Sequence, residues 1–412
     1  MPANRKLLKL GDEITNKVDK TSGQLNKTVP RLEPFTDIGQ QLRIGFVEDN
    51  TDSTLSYLGG KKKIEDLSQL KGNIENFVGM SQIPTGIMGP LVVKTSRGLR
   101  STLVPLATSE GTLVASYARG ARACRNSGEI RSLCLKEGVQ RSPIFQFKNL
   151  GDLTLFIDWC YNERILFDAI VKRSSNYAEL KDININVEGN QVILNLEFTA
   201  GDAAGQNMVT IASQAICQHI IKCTPIQPEI WFLESNASGD KKATFNSFAN
   251  VRGKKVSAEI ILKKEVIKSV LQTSPELMFK YWQTSFMGAV KCGAIGAQGH
   301  FANGLAALFI ACGQDAACVS EASVGITRME VNKDGDLYCS VTLPNLIVGT
   351  VGGGTSLPTQ KECLEIMGCY GEGKAKTFAE ICGALCLAGE ISIIAALSAG
   401  QFAAAHQKHG RG

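Results

Sequence analysis

Gly296-Ala-Gln-Gly-His-Phe-Ala-Asn-Gly-Leu-Ala-Ala-Leu-Phe-Ile-Ala-Cys-Gly-Gln-Asp315 is the stretch on which the fold turns. Phe301, Leu305, Leu308, Phe309 and Cys312 recur at helical spacing and small residues fill most other positions, which predicts a helix buried nearly all round. Polar side chains interrupt it, His300, Asn303 and Asp315 among them. At about 100° per residue, His300, Asn303 and Asp315 fall within roughly one third of the circumference of a helix that runs to its end, so they can address one site. A carboxylate in so apolar a setting requires a partner, either a cation or a second acid sharing its proton. The competing reading is that Gln314-Asp315 caps the next helix.

Around this stretch, a chain of 412 residues buries a large core in two or three structural units. A net charge of +5 is too small for general nucleic-acid binding. The thirteen cysteines are scattered and include no Cys-x-x-Cys pair, which argues against a disulfide framework or zinc ribbon and for reduced thiols in the cytosol. Met1-Pro-Ala-Asn-Arg-Lys6 lacks the apolar region of a signal peptide. The run from Ile381 to Ala405 has the length of a membrane span, but Glu390 sits inside it and Gly and Ala dominate its flanks; a buried core helix or two is expected. A soluble, cytoplasmic protein without membrane contact follows.

Residues 1–72 are polar and charged, with short helical patterns and Lys61-Lys-Lys63, and read as a small helical region. At Ile83-Pro-Thr-Gly-Ile-Met-Gly-Pro-Leu91, Gly and Pro punctuate an apolar stretch suited to strand and tight loop. In Thr108-Ser-Glu-Gly-Thr-Leu-Val-Ala-Ser116, Thr108 or Ser109 is expected to cap a helix with Glu110 in its first turn. Arg119, Arg122 and Arg125 then form a basic stripe, for ligand phosphates or simply a solvated face.

Ile183, Ile185 and Val187 alternate with polar residues, Glu188-Gly-Asn190 turns the chain, and Val192, Leu194, Leu196 and Phe198 alternate again: a hairpin with one buried face. A helix over about 205–222 follows, with Met208, Ile211, Ala215 and Ile220 expected on its inner side. Gly201-Asp-Ala-Ala-Gly-Gln-Asn-Met208 places Asp202 between glycines at that helix start, a place for phosphate or ribose without the G-x-G-x-x-G spacing. Asp240-Lys-Lys242 is either a surface loop or a lysine able to stabilise an oxyanion. Gly349-Thr-Val-Gly-Gly-Gly-Thr355 offers bare backbone N–H groups to an anion, or is a structural turn. His406 and His409 share a tail with no acidic neighbour, so no metal site is expected.

In their order, these motifs together with Ala311-Cys-Gly-Gln-Asp315 and His406-Gln-Lys-His409 resemble the catalytic region of the 3-hydroxy-3-methylglutaryl-coenzyme A (HMG-CoA) reductases, in the form found in eukaryotes and many archaea. The resemblance covers roughly residues 70–412. It implies an α+β fold: a large domain around a buried central helix (residues 73–145 and 231–412), an inserted ferredoxin-like nucleotide-binding domain (146–230) and the small N-terminal helical region. It implies reduction of HMG-CoA by NADPH to mevalonate and CoA in isoprenoid and sterol biosynthesis, and a homodimer or homotetramer with shared active sites.

Position by position, the resemblance makes Lys241 the oxyanion stabiliser, Glu110 the proton donor, Asp315 the group between them and His406 the acid for the departing thiolate. Ser116, Arg119 and His300 would contact CoA, and Arg141, Asn236, Lys242 and Asn303 the acyl part. Ser175, Asp202, Asn207, Gly352, Gly353 and Gly354 would meet the nucleotide.

The chain departs from the family pattern in several places, Ala118 in place of a polar CoA-side residue among them. Glu234-Ser-Asn236 replaces Ser-Gly-Asn and sets a carboxylate near the pocket for the substrate's own carboxylate, and Gln283 or Thr284 stands where a lysine is expected. Ser175-Asn-Tyr177 lacks an arginine for a 2′-phosphate, so NADH is the alternative cofactor. The rival readings are a non-catalytic paralogue that binds CoA or nucleotide, and a reductase of a different acyl-CoA. The intact set of Glu110, Lys241, Asp315 and His406 favours the enzyme.

Overall fold

The computed structural model describes residues 28–31, 35–175 and 177–400. Helix α1 (Asp37–Asn50) begins at Thr36, whose hydroxyl accepts the Gly39 N–H at 3.1 Å. Its Ile44 and Val47 pack on Leu103 and Ile366. Buried Glu362 secures the following turn by accepting the Tyr57 and Leu58 N–H groups at 2.9 and 2.8 Å. Lys61, Lys62 and Lys63 are exposed, as a solvated run should be.

Strands β1 (Thr85–Thr95) and β2 (Gly98–Ala107) form a hairpin, and α2 (Leu113–Ser127) follows. Strand β3 (Ile130–Arg141) runs parallel to β1 at Val93 and Lys94. Its last residues, Val139 to Arg141, leave that sheet and pair with a strand of a second one, so one strand joins both sheets and ends on Arg141.

The second sheet is built from β4 (Ile144–Gln146), β5 (Glu179–Glu188), β6 (Gln191–Thr199) and β7 (Ile230–Phe232), with α3 (Leu150–Asn162), α4 (Arg164–Ser174) and α5 (Gln206–Cys223). The antiparallel order β7-β4-β6-β5 and the succession of strands and helices make this the ferredoxin-like βαββαβ arrangement. Val192, Leu194, Leu196 and Phe198 are all buried, as their alternation predicts.

The inner face of α5 agrees with the expectation at Met208 and Ile220 and differs from it at Ile211. Val209, Ala212, Ser213, Ile216, Cys217 and Ile220 face the core and Ile211 is exposed. Small residues at the contact let α5 approach the sheet closely, so the stripe follows size rather than hydrophobicity alone.

The chain then returns to the first sheet through β8 (Gly253–Leu262), α6 (Pro275–Cys292), β9 (Gly296–Ala297), α7 (Phe301–Ala311), β10 (Gly325–Val331), β11 (Leu337–Leu346), α8 (Pro358–Ile366) and α9 (Ala375–Ser398). Phe301, Leu305, Leu308, Phe309 and Cys312 are all fully buried, and α7 packs on β2 and α9. Burying each such Leu or Phe contributes about 1.5–3 kcal/mol.

Helix α9 is the long apolar run, and its most apolar window is 83% buried inside the protein. Its two acids, Glu380 and Glu390, are fully buried and satisfied. Glu380 accepts from Ser96 Oγ at 3.1 Å and the Cys134 N–H at 3.1 Å, and Glu390 accepts from Thr327 Oγ1 at 2.7 Å.

Helices α2 and α9 touch at Gly120, where an added Cβ would stand 1.8 Å from the Ala388 carbonyl oxygen. Backbone lies on both sides of that contact, so the helices would have to separate. Gly120→Ala is expected to lower unfolding free energy by about 1–3 kcal/mol in urea titration, and an unchanged midpoint would show that the two helices are not held at this contact.

Candidate active site

Helix α7 stops at Ala311, short of Asp315, because Gly313 turns the chain at φ 65°. Asp315 starts a new turn, accepting the Ala317 N–H at 3.0 Å. Capping is only half of its role, since the same carboxylate lies 2.9 Å from Lys241 Nζ. The bond to Asp315 raises the Lys241 pKa. Partial burial pushes Asp315 up, but Lys241 and the Ala317 amide outweigh it and hold the carboxyl below its ordinary value. The contribution of Asp315 is present above the ordinary carboxylate range and lost as pH falls through the lowered value. That of Lys241 is present below the ordinary lysine value and lost as pH rises through the raised one. The ion pair therefore spans the whole neutral range.

Lys241 is held from beneath. Its φ is 55°, a left-handed conformation unusual for a lysine. Its N–H donates to Glu321 Oε1 at 3.1 Å, and the fully buried Glu321 accepts from Arg252 Nε at 2.8 Å. Arg252 also donates to the Gln140 carbonyl at 3.0 Å and to Asp240. The second oxygen of Asp240 accepts from Arg141 Nη1 at 3.1 Å, and Arg141 Nε donates to Thr210 Oγ1 at 2.9 Å. Burial pushes the Glu321 pKa up against the pull of Arg252. Two guanidinium groups and two carboxylates thus tie the lysine loop to the seam between the sheets. Sequence reading missed Arg252 and Glu321, whose pairing brings together residues far apart in the chain.

The opposite end of α7 carries a second group. Asn303 Nδ2 donates to the Glu110 oxygens at 3.3 and 3.1 Å. Glu110 lies in the loop before α2 rather than in its first turn: the Thr108 hydroxyl accepts the Glu110 N–H at 2.9 Å, and the helix starts only after Thr112 at φ 72°. His300 Nδ1 is 3.2 Å from Glu390 Oε1, and the Gly299 and His300 N–H groups donate to Glu390 at 2.7 and 2.8 Å. Burial pushes Glu390 up, the bond to His300 outweighs this, and the net pKa is lowered. Tyr117 stacks on His300 with ring centroids 5.3 Å apart. From Asn303 to Ala311 the helix alone spans about 12 Å, so the Glu110 and Lys241 groups stand apart within one chain.

The other expected residues fall around these two ends. Asn236 (φ 70°) and Lys242 are exposed on the lysine loop, and Lys242 Nζ donates to the Asp240 carbonyl at 2.8 Å. Ser116 Oγ is 3.0 Å from Ser392 Oγ, and Arg119 donates to Ser392 Oγ at 3.1 Å and its carbonyl at 2.6 Å. Arg125 donates to the Pro90 carbonyl at 3.0 Å, so two of the three arginines in the stripe bond the fold itself. Ser175 Oγ accepts the Tyr177 and Ala178 N–H groups at 3.2 and 3.1 Å. The Asp202 carboxylate accepts the Gly373 and Ala375 N–H groups at 2.6 and 3.0 Å, joining the second core to the start of α9. Asn207 is exposed in the first turn of α5, a helix whose start has no side-chain cap. Gly352 and Gly353 have open space where a side chain would be, and Gly354 packs on Gly313 beside Asp315. His406 lies outside the described residues.

Residues 40–411 match the family model described as hydroxymethylglutaryl-coenzyme A reductase. A relative from Pyrococcus abyssi named 3-hydroxy-3-methylglutaryl-coenzyme A reductase is 36% identical over 97% of this chain and 99% of its own. The Aeropyrum pernix protein of that name is 40% identical over 89% of this chain and 88% of its own. A solved class II 3-hydroxy-3-methylglutaryl-CoA reductase from Streptococcus pneumoniae, bound to NADPH in open conformations, is similar with a TM-score of 0.70 at 15% identity. The superposition covers 87% of this chain and 96% of that one, and it bears on the fold alone.

Removing one member of the buried pair under Lys241 strands the other. Glu321→Ala is expected to cost about 3–5 kcal/mol by denaturant titration. A loss below about 1 kcal/mol would mean that Arg252 is satisfied without it.

Proposed function

The chain belongs to the hydroxymethylglutaryl-coenzyme A reductase family, and from that membership we propose that it reduces HMG-CoA with two NADPH to mevalonate and free CoA. The observation that carries the chemistry is the Lys241–Asp315 pair at 2.9 Å, with the lysine side chain 43% exposed. A lysine whose pKa is raised stays an ammonium at neutral pH, so it acts as a donor to negative charge and not as a base. When hydride adds to the thioester carbonyl, charge develops on the oxygen and the Lys241 N–H groups stabilise it. Glu110, held by Asn303, supplies the proton to that oxygen. The hemithioacetal returns its hydroxyl proton to the Glu110 carboxylate as the C–S bond breaks to give the aldehyde, His406 protonates the departing thiolate, and Lys241 and Glu110 serve again when the second hydride reduces the aldehyde.

The residues present fit a nicotinamide nucleotide. The uncapped start of α5 leaves N–H groups without intrahelical partners, and the open backbone at Gly352 and Gly353 adjoins it, because the Thr350 N–H donates to the Asp202 carbonyl at 2.8 Å. NADPH, when bound, supplies the hydride. Ser175, Asp202, Asn207 and Gly352 to Gly354 hold and orient it on the βαββαβ unit that runs from β4 to β7. Ser116, Arg119 and His300 receive CoA, for which Ser116 and Arg119 exchange their bonds to Ser392. Arg141, Asn236, Lys242 and Asn303 receive the acyl group.

A second copy completes the site. Glu110 and Lys241 stand at opposite ends of α7, and a shared interface sets the Glu110 end of one chain against the Lys241 end of another. Phe286, Met287 and Val290 on α6, exposed at 38%, 66% and 62%, supply apolar surface for such an association. A cytosolic location accords with thirteen unpaired cysteines.

Lys241→Ala is expected to cut HMG-CoA-dependent NADPH oxidation by about 10²–10³-fold while leaving the thermal midpoint near that of the parent, since the side chain is half exposed. Oxidation that survives in the variant would remove Lys241 from the mechanism. No HMG-CoA-dependent oxidation by the folded parent, with NADPH or NADH, would remove the activity itself.

A further inference from the structure

The charges around the lysine loop cancel. Arg141, Arg252, Lys241 and Lys242 are its cations, and Glu234, Asp240, Asp315 and Glu321 face them. Arg252 is enclosed between Asp240 and Glu321, and Lys241 is paired with Asp315. Arg141, with its side chain 10% exposed, is the cation at the edge of the loop, and each of its three nitrogens has a partner. Nε meets Thr210 Oγ1 at 2.9 Å, Nη2 meets the Gln206 carbonyl at 3.5 Å, and Nη1 meets Asp240 at 3.1 Å with Glu234 Oε2 at 4.0 Å. Glu234 is fixed there by its own loop: Oε1 accepts the Asn236 N–H at 2.8 Å and Oε2 the Ser142 N–H at 3.3 Å. Without Glu234 the group would carry one spare positive charge next to Lys242. With it, the four cations and four carboxylates sum to zero.

We propose that Glu234 determines specificity by standing in for the distal carboxylate of an acyl group. The inference rests on the reductase reading above and names the preference of that site. Acyl-CoA thioesters with an uncharged far end meet a neutral pocket. HMG-CoA binds against the Glu234 charge, and its carboxylate reaches Arg141 only by displacing Glu234.

The test compares HMG-CoA with 3-hydroxy-3-methylbutyryl-CoA, which replaces the carboxymethyl arm with a methyl group. Binding is measured by titration calorimetry on the full-length parent, E234Q and E234S. Gln is nearly isosteric, removes the charge and keeps one of the two backbone bonds, since its amide nitrogen donates and cannot accept, so it is the variant that disturbs the local fold least; Ser removes the side chain from the pocket altogether. The expected result is HMG-CoA bound at least about tenfold more tightly by both variants, with the methyl analogue bound equally by all three proteins. Equal HMG-CoA affinities, or the same gain for both thioesters, would overturn the proposal while leaving the reductase reading intact if HMG-CoA still drives NADPH oxidation. Parent and variants that bind neither thioester would overturn both.

Discussion

One buried helix sets the distances on which the rest depends. Helix α7 has no room to shift, because Phe301, Leu305, Leu308 and Phe309 are fully enclosed. Its two ends are pinned by different means. At the start, Glu390 of α9 accepts the Gly299 and His300 N–H groups, which a buried carboxylate must do to offset its loss of water. At the end, Gly313 and Gly354 meet backbone to backbone and hold the Asp315 turn. The polar groups at its ends therefore sit at fixed separation, Glu110 and Asn303 at one end and Asp315 and Lys241 at the other.

The Lys241 loop is rigid for a reason that lies beneath it. A lysine at positive φ is unfavourable in isolation and persists where surrounding bonds determine it. Here those bonds come from Glu321 and, through it, Arg252 and Asp240. The same lattice reaches Arg141 at the end of β3, the strand that passes from one sheet to the other. A buried ionic network is a costly way to gain stability. Its use here is to hold one ammonium in place where the two sheets meet.

Much of this was legible because burial leaves a periodic trace. The alternation through β6 and the helical spacing of α7 each record one face or one whole surface turned from water. The apolar run that became α9 was recognisable as core from Glu390, yet nothing in the sequence told which N–H groups that acid would receive. Arg252 and Glu321 were invisible for the same cause: their pairing is long-range and each alone resembles a surface charge. The inner face of α5 was misplaced at Ile211 because Ala212, Ser213 and Cys217 are small, and Ile211, the stronger hydrophobe, faces outward. Glu110 was set in a helix because Thr108 is a good cap, whereas its hydroxyl serves a tighter local turn. The pairing of Asp315 with a cation was expected in kind, and Lys241 in particular came from the family resemblance.

In each chain α7 holds Glu110 and Lys241 apart, whereas the proposed reaction needs both on one carbonyl. Mixing separately inactive Glu110→Gln and Lys241→Ala proteins under conditions that exchange subunits tests that requirement directly. Mixed dimers carry one intact site among two, so recovery of roughly a quarter of parental HMG-CoA-dependent NADPH oxidation is expected. A mixture that stays as inactive as its components, although both variants are folded and exchange subunits, would contradict it.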